Sequence, residues 1–184
     1  MNRLTLFVVI LMITTTTFAQ SKKELTRKGF VFGVGMGGGV HLVDGVAHGR
    51  FTTPNIKIGA MLNPKLAILL MAPSGTYKLN GEDRAFEGVI PSAQYWLTDR
   101  FYVNAGVGLA IETTPFYKVN YSEGTPEFNT GIGLTSSIGF ELVQWSTNKT
   151  LDAQLRVLYG NIEFDNQDRR ENLAIDLVIG FNLY

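Results

Sequence analysis

The segment from Gly33 to Gly38 reads GVGMGG and fits the G-x-G-x-x-G spacing that holds a pyrophosphate in dinucleotide-binding enzymes. That chemistry needs a helix that opens within the motif, because backbone N–H groups at a helix N-terminus bind the phosphates. The residues that follow, VHLVDGVAHG, show no helical period. Gly33, Gly35, Gly37 and Gly39 instead share one parity, as residues on one face of a strand do. We therefore interpret the motif as part of a glycine-rich strand.

Both histidines, His41 and His48, lie in or beside the polar stretch that follows this strand. Acyl transfer needs a nucleophile beside a base, commonly serine with histidine. His41 with Asp44 would supply a base and its orienting group, and Ser74 or Ser122 would supply a nucleophile from another loop. Unsupported residues of these types indicate a site only weakly, so we expect solvated loop side chains and no catalysis. No third ligand is suitably spaced for a metal, so we also expect no metal and no cofactor.

The N-terminus has the features of a secretory signal. Arg3 gives a short positive start, an almost unbroken apolar run extends from Leu4 to Ile13, and Ala19 precedes a polar residue. The run is too short to span a bilayer, which takes roughly 20 apolar residues. We predict that residues 1–19 are a cleaved signal peptide and that residues 20–184 form one domain.

Composition limits the classes of function. The chain has no cysteine, so no disulfide can stabilise it after export. Its formal net charge is zero, which gives no electrostatic basis for binding nucleic acid. No segment after the signal is apolar enough for a transmembrane helix either. A large core or a membrane must therefore stabilise the domain.

Alternation of side chains is the dominant pattern of the remaining sequence. Between Phe101 and Glu112 the odd positions are all apolar, whereas the even positions are small or polar. Successive side chains of a strand point to opposite faces, so one face of this segment is wholly apolar. Similar segments recur along the chain, and eight strands are predicted: 30–40, 55–62, 66–72, 85–97, 101–112, 128–143, 150–160 and 172–184.

The predicted connections alternate in length. Three tight turns contain turn-forming residues: 63–65, 98–100 and 146–149. Four longer segments are polar and are interpreted as loops: 41–50, 74–84, 113–127 and 165–171. This order predicts an antiparallel meander with tight turns at one end and long loops at the other. Together with apolar-outside alternation, it specifies an all-β, eight-stranded, up-and-down transmembrane β-barrel.

Aromatic residues are expected to form a girdle at each membrane interface. Those near the tight turns or the C-terminus are Tyr95, Trp96, Phe101, Tyr102, Trp145 and Tyr184. Those near the long loops are Tyr77, Phe86, Phe116, Tyr117, Tyr121, Phe128 and Phe164. The alternative is a soluble, lipocalin-like barrel around an apolar ligand, whose polar face would point outward. Soluble exteriors favour charged residues, which are few within these strands, so we favour the membrane barrel.

Five charged residues share the inward parity of their strands: Lys57, Glu141, Asp152, Arg156 and Asp176. Ionised groups inside a narrow barrel are tolerated only when they are paired and hydrogen-bonded. The turn at 146–149 places Arg156 opposite Gly139, with Glu141 as its diagonal neighbour and Asp176 on the other flank. We predict a barrel-interior polar network that fills the lumen, with a narrow polar pore as the alternative.

The chain resembles the small outer-membrane β-barrel proteins of Gram-negative bacteria, the outer membrane protein beta-barrel domain family. The resemblance rests on the signal, the eight alternating segments, the glycine-rich strands GFVFGVGMGGGV and NTGIGLTSSIGFEL, and the terminal GFNLY. That ending resembles the aromatic C-terminal signal by which such barrels are recognised for insertion. In this chain, however, the apolar parity falls on Leu183 and Phe181 and not on the parity of Tyr184.

The resemblance implies a porin-like protein of the cell envelope, located in the outer membrane. Its implied role is structural or interactive through extracellular loops, or that of a minor narrow pore. We expect a monomer surrounded by outer-membrane lipid, with long loops open to an extracellular partner. Some small outer-membrane barrels modify lipids. A lipid A acylase-like or deacylase-like enzyme that uses His41 or His48 therefore stands as the alternative.

Overall fold

Long antiparallel strands make up the computed structural model, which describes residues 25–118, 128–164 and 168–184. The strands are β1 (Phe30–Val43), β2 (Val46–Asn63), β3 (Leu66–Ala72), β4 (Ser74–Leu79), β5 (Glu82–Trp96), β6 (Phe101–Thr113), β7 (Phe128–Ser146), β8 (Lys149–Glu163) and β9 (Arg169–Leu183). A short 3-10 helix, Phe116–Lys118, follows β6. Over the described ranges, no helix has the length and apolar character needed to cross a membrane. The predicted signal peptide, residues 1–19, lies outside the described residues.

The strands form one closed barrel. Except for β3 and β4, consecutive strands pair in antiparallel fashion, and β1 pairs with β9 to complete the ring. β3 and β4 occupy one strand position, because both pair with β2 on one side and with β5 on the other. They are separated at Pro73, which has no N–H to donate to a ladder. The barrel therefore has eight strand positions, and the predicted eight-stranded, up-and-down fold is confirmed.

Two of the four predicted long loops, 41–50 and 74–84, are wrong. Both segments are hairpins with two-residue turns, in which both positions have positive φ: Asp44 (47°), Gly45 (83°), Asn80 (53°) and Gly81 (86°). Asp-Gly and Asn-Gly are strong hairpin signals, because a type I′ turn needs positive φ at both positions. Polar and charged residues continue into these strand ends, so a pattern based on hydrophobicity misses them.

The other two predicted loops are described only in part. Residues 119–127 of the third and 165–167 of the fourth lie outside the described residues. We call the end of the barrel with these connections and the two hairpin turns the loop end. We call the opposite end, with the connections at 64–65, 97–100 and 147–148, the turn end.

The outer surface of the barrel is an apolar band. Its exposed aliphatic side chains include Val34, Met36, Ile58, Ile68, Val89, Val107, Leu109, Ile132, Leu134, Ile138, Leu155, Ile175, Leu177 and Ile179. An apolar surface of this extent suits the hydrocarbon of a bilayer and would be unfavourable in water. The glycine and polar faces of the strands point inward. This orientation is the reverse of the one that the lipocalin-like alternative requires.

The predicted aromatic girdles form only in part. Tyr95 and Trp145 are exposed near the turn end, and Phe116, Tyr117 and Phe128 are exposed near the loop end. Five other aromatic side chains of the predicted girdles are buried: Trp96, Tyr102 and Tyr184 near the turn end, and Tyr77 and Phe86 near the loop end. Successive side chains of a strand point to opposite faces, so a position near a strand end does not by itself place an aromatic side chain on the outer surface. Tyr121 lies outside the described residues.

The GVGMGG segment lies within β1 and forms part of the barrel wall. Gly37 and Gly39 pass so close to β9 that a Cβ on either would overlap the carbonyl oxygen of Leu177 or Ile175. Gly33 leaves space for the inward side chain of Lys57. The glycines of this segment are therefore explained by close packing, in line with the interpretation of the motif as a strand.

Candidate functional site

Side chains fill the barrel interior in layers. One apolar cluster closes the turn end: Val31, Ala67, Leu69, Met71, Trp96, Tyr102 and Tyr184. A second closes the loop end: Val43, Tyr77, Phe86, Ile90, Ala110, Leu158, Ile162 and Ala174. Buried charged and amide side chains lie between and beside these clusters. The candidate site is this interior, which contains all five sequence-predicted residues.

Asp176 is the shared partner of two arginines. Arg156 Nη2 donates to Asp176 Oδ2 at 3.0 Å, because the two residues are directly opposite on β8 and β9. Arg50 Nε lies 3.3 Å from Asp176 Oδ1. Arg50 also donates from Nη2 to the carbonyl oxygen of Phe86 at 2.8 Å. All three charged side chains are almost fully buried, so each depends on the others for compensation of its charge.

A second group forms around Asp152. The Tyr102 hydroxyl donates to Asp152 Oδ2, and Gln154 Nε2 donates to Oδ1 at 3.3 Å. Lys57 Nζ lies 3.6 Å from Asp152 Oδ2 and donates to Gln94 Oε1 at 3.4 Å. The Lys57 ammonium also lies 5.3 Å from the centre of the Tyr102 ring. The structure thus brings together two of the predicted charges, Lys57 and Asp152.

Glu141 belongs to a third group, near the turn end. Its carboxylate accepts from Arg27 Nη2 at 2.8 Å, from Trp96 Nε1 at 2.9 Å and from the Tyr184 hydroxyl at 2.8 Å. The Arg27 guanidinium lies 4.8 Å from the centre of the Trp96 ring. Arg27 precedes β1 in the sequence, so an argument from strand parity could not find it.

The predicted contact between Arg156 and Glu141 is wrong. Arg156 lies opposite Ser137 and not opposite Gly139. Two irregularities near the turn end of the β7–β8 ladder each shift the register by one residue relative to a regular hairpin. The shift carries Glu141 away from Arg156, and its cationic partner is Arg27.

His41 lies inside the barrel, so the expectation of a solvated loop side chain is wrong for this residue. Its Nε2 is 2.7 Å from Asn172 Oδ1, its Nδ1 is 3.2 Å from Arg50 Nη1, and its ring stacks on Tyr77. A guanidinium can only donate, so Nδ1 accepts from Arg50 and Nε2 donates to Asn172. The contacts therefore fix one neutral tautomer. The expectation fails because β1 extends past His41 to Val43.

Contacts continue from His41 towards the loop end. Asn172 Nδ2 donates to Glu112 Oε2 at 3.2 Å, and Arg170 Nη1 donates to Glu112 Oε1 at 2.6 Å. Arg170 is partly exposed, whereas Glu112 is fully buried. A continuous chain of polar contacts therefore runs from Asp176 to the rim of the barrel at the loop end.

Sequence reasoning missed Arg50 because it assigned this residue to the predicted loop 41–50, whereas Arg50 lies in β2. The parity of β2 also changes along the strand. Thr52 and Asn55 both face inward although an odd number of steps separates them, because β2 has an extra residue there relative to β1. Pro54 lies within this irregularity. A proline inside a strand pattern indicates a bulge or an edge, so Pro54 was the available signal.

The histidines have no described serine partner. Both ring nitrogens of His41 are engaged by Asn172 and Arg50, and Ser74 Oγ donates to Glu87 at 2.8 Å. Ser122 lies outside the described residues. Within the described part of the chain, no group of three or more His, Cys, Asp or Glu side chains could hold a metal. The interior is therefore arranged to fix buried charges in place.

One cleft lies at each end of the barrel as described. A cleft of about 690 Å³ at the loop end is lined by residues that include His48, Phe51, Lys78, Asp83 and Tyr117. A cleft of about 480 Å³ at the turn end surrounds Arg27. By contrast, a cavity between interior side chains, lined in part by Lys57 and Arg156, measures only about 20 Å³.

Comparison with known proteins identifies the fold. The sequence matches no protein-family profile and no curated protein. Neisserial surface protein A has a similar structure, with a TM-score of 0.65 and 19% identity over 84% of this chain and 96% of that chain. Ail, the attachment invasion locus protein of Yersinia pestis, gives a TM-score of 0.56 and 12% identity over 86% of this chain and 100% of that chain.

A second structure of Ail, in complex with the heparin analogue sucrose octasulfate, gives a TM-score of 0.54 and 12% identity over the same shares, 86% and 100%. At these identities the likeness concerns the fold. The chain has the eight-stranded fold of the small outer-membrane β-barrel proteins of Gram-negative bacteria.

Proposed function

We propose that the protein is a monomeric, integral outer-membrane β-barrel that acts through its loop end, by binding a partner outside the cell. In this proposal residues 1–19 are removed on export, and the apolar band is surrounded by outer-membrane lipid. The barrel neither conducts solutes nor catalyses a reaction.

The filled interior is the observation that carries this proposal. An apolar cluster closes each end of the lumen, and paired charges occupy the space between them. Eight-stranded barrels have interiors just wide enough for side chains to fill. A lumen packed in this way supports a structural or interactive role, because a solute would have to displace buried ion pairs.

The cleft at the loop end supplies a surface for a partner. Phe51 and Tyr117 are both 56% exposed, and they lie beside the charged side chains of Lys78 and Asp83. Exposed aromatic faces next to charged groups suit a saccharide, which offers both apolar ring faces and hydroxyl groups. The structurally similar Ail has been solved with a heparin analogue. We therefore propose a sulfated saccharide as the partner class, with Lys78 as a positive contact.

A conductance measurement tests the closed lumen. Purified protein is inserted into planar lipid bilayers, and the current is recorded at high salt. We expect no steady channel conductance. The narrow-pore alternative, which the polar character of the interior favours, predicts reproducible single-channel steps and would replace the closed-lumen proposal if they were seen.

A binding measurement tests the loop end. Detergent-solubilised protein is titrated against heparin-derived oligosaccharides, and Lys78→Glu and Tyr117→Ala are compared with the turn-end control Lys149→Glu. We expect weaker binding for both loop-end variants and unchanged binding for the control. Equal loss in the control, or no binding by the parent protein, would argue against a saccharide site in this cleft.

A further inference from the structure

The middle of the barrel holds more positive than negative charge. Arg50 and Arg156 share one carboxylate, that of Asp176, while Lys57 faces Asp152. This layer therefore contains three cations and two carboxylates. An unpaired charge buried away from water is costly, so a group in this layer must balance the surplus.

Two neighbouring carboxylates already have cationic partners of their own, and a third, the half-buried Glu87, acts on Arg50 while it accepts a hydrogen bond from Ser74. Glu141 is bound by Arg27 at 2.8 Å, and Glu112 is bound by Arg170 at 2.6 Å. His41 accepts a hydrogen bond from Arg50 and is neutral, so it neither adds to the surplus nor relieves it. Among the almost fully buried side chains, the excess therefore remains with the two arginines that share Asp176.

A cavity of about 20 Å³ lies beside this surplus charge. Arg156, Lys57 and Asn182 line it, together with the glycine-rich wall of β1. Arg156 Nε and Asn182 Oδ1 have no hydrogen-bond partner within the described part of the chain, although both residues are almost completely buried. A space of this size accommodates about one water-sized particle. The cavity thus combines an unpaired cationic donor, Arg156 Nε, with space for one small ion or molecule.

We propose that this cavity binds one small monovalent inorganic anion of the size of chloride, held between Arg156 and Lys57. The anion accepts a charge-assisted hydrogen bond from the free Arg156 Nε and balances the third cation of the layer. Asn182 turns its amide nitrogen towards the anion after a flip, since the oxygen and nitrogen of an amide are assigned from the hydrogen-bond network. Its oxygen then accepts from the Thr150 hydroxyl.

The size and charge of the cavity favour a small monovalent anion over water and over larger anions. A water molecule would satisfy the free donor but would leave the surplus charge in place. A tetrahedral anion such as phosphate or sulfate is too large for this cavity.

Stability in different salts tests the proposal. The protein is refolded in detergent in sodium chloride, sodium bromide or sodium gluconate at equal ionic strength, and is then unfolded in urea. Above the dissociation constant, each tenfold rise in halide should raise the ratio of folded to unfolded protein by up to tenfold. Gluconate should have no such effect. Crystals grown in bromide should show an anomalous peak beside Arg156.

Two variants test whether the halide dependence of stability arises at the cavity. Asn182→Asp places a carboxylate at the cavity, and Lys57→Met removes one of the three cations of the layer, so each should abolish the halide dependence. Asn148→Asp, the same chemical change at the turn end, should keep it in full. The proposal is overturned if the parent protein is equally stable in chloride and gluconate and shows no bromide peak. It is also overturned if both cavity variants retain the full dependence. If Asn182→Asp does not fold, Lys57→Met decides between these outcomes.

Discussion

At the scale of single residues, Asp176 is the side chain on which the interior depends most. Asp176→Asn leaves Arg50 and Arg156 without a carboxylate, and we expect it to lower the free energy of unfolding by about 3–5 kcal/mol. Arg156→Met should cost less, because Asp176 keeps its ion pair with Arg50. Urea unfolding in detergent at a fixed chloride concentration measures both variants.

Double-mutant cycles distinguish the observed ion pair, Arg156 with Asp176, from the pair predicted from the sequence, Arg156 with Glu141. Arg156 and Asp176 are in contact, so their cycle should show a coupling energy of about 0.5–3 kcal/mol. Arg156 and Glu141 have different partners, so their effects should add to within about 0.5 kcal/mol. Coupling in the second cycle and additivity in the first would contradict the register described here.

Gly139 provides a second prediction at this scale. A Cβ at this position would overlap the ring of Tyr102, whose hydroxyl donates to Asp152. We expect Gly139→Ala to cost about 1–3 kcal/mol as an overpacked substitution and to change the near-ultraviolet circular dichroism of the buried aromatic side chains. Gly49→Ala is the control, since a Cβ there meets open space. Equal effects of the two substitutions would show that Tyr102 does not occupy this position.

Which charges lie inside could be predicted from parity, but their partners could not. Alternation alone places Arg156, Glu141 and the other three predicted charges on the inward face. Partner identity depends on register, which the two irregularities in the β7–β8 ladder change. Arg27 lies outside the strands, so alternation within a strand could not predict the direction of its side chain. The bulge at Pro54 hides the direction of Arg50, because parity on one side of it does not extend to the other.

At the scale of elements, the 3-10 helix Phe116–Lys118 is fastened to the β4–β5 hairpin. Lys118 Nζ lies 2.9 Å from Asp83 Oδ2, at the loop end and beyond the apolar band. The hydrogen bond from Lys118 lowers the pKa of Asp83 below its ordinary value of 3.8. A carboxyl with a lowered pKa stabilises its contact above the ordinary value and loses it as the pH falls through the lowered value.

We therefore expect the helix to stay attached at neutral pH and to be released in strong acid. Asp83→Asn should imitate the acid state at neutral pH. Amide hydrogen exchange measured by NMR reports the release, because the Lys118 amide donates to the carbonyl oxygen of Pro115. Glu163→Gln is the control, since Glu163 pairs with Arg169 between β8 and β9. Unchanged exchange at Lys118 in the Asp83→Asn variant would mean that the ion pair does not hold the helix.

Most elements could be predicted because an alternation of period two continues over long stretches of most barrel strands. The ends of β1 and β2 and the whole of β4 could not be found from hydrophobicity. Those segments extend beyond the apolar band, where polar side chains lie on both faces. The turn residues Gly45 and Gly81 were the signals that remained, since both adopt positive φ.

At the scale of the whole molecule, the cost of an arginine on the outer face should depend on its depth in the bilayer. Leu177 is 59% exposed in the middle of β9, and Leu177→Arg should cost about 2–4 kcal/mol when the barrel folds in lipid vesicles. Leu62→Arg, at the turn end, is the matched control and should cost about 0–1 kcal/mol. Similar costs at both positions would place the apolar band at a different depth in the bilayer.

The direction of the barrel in the membrane can be tested with single cysteines, because the native chain has none. We expect Glu82→Cys, at the loop end, to react with a membrane-impermeant maleimide on intact cells. Lys149→Cys, at the turn end, should react only after the outer membrane is opened. The opposite pattern of labelling would reverse the proposed topology.

The ladder between β1 and β9 has a kinetic consequence. It joins the first and last strands of the barrel, from Phe32 beside Leu183 to Val43 beside Asn172. Until it forms, both strands present unpaired N–H and C=O groups, and each such group costs several kcal/mol in hydrocarbon. A half-open sheet would therefore be a high-energy species within the bilayer. Since contacts between distant parts of a chain form slowly, closure of this ladder should set the rate of insertion, and entry into the membrane should be concerted with it.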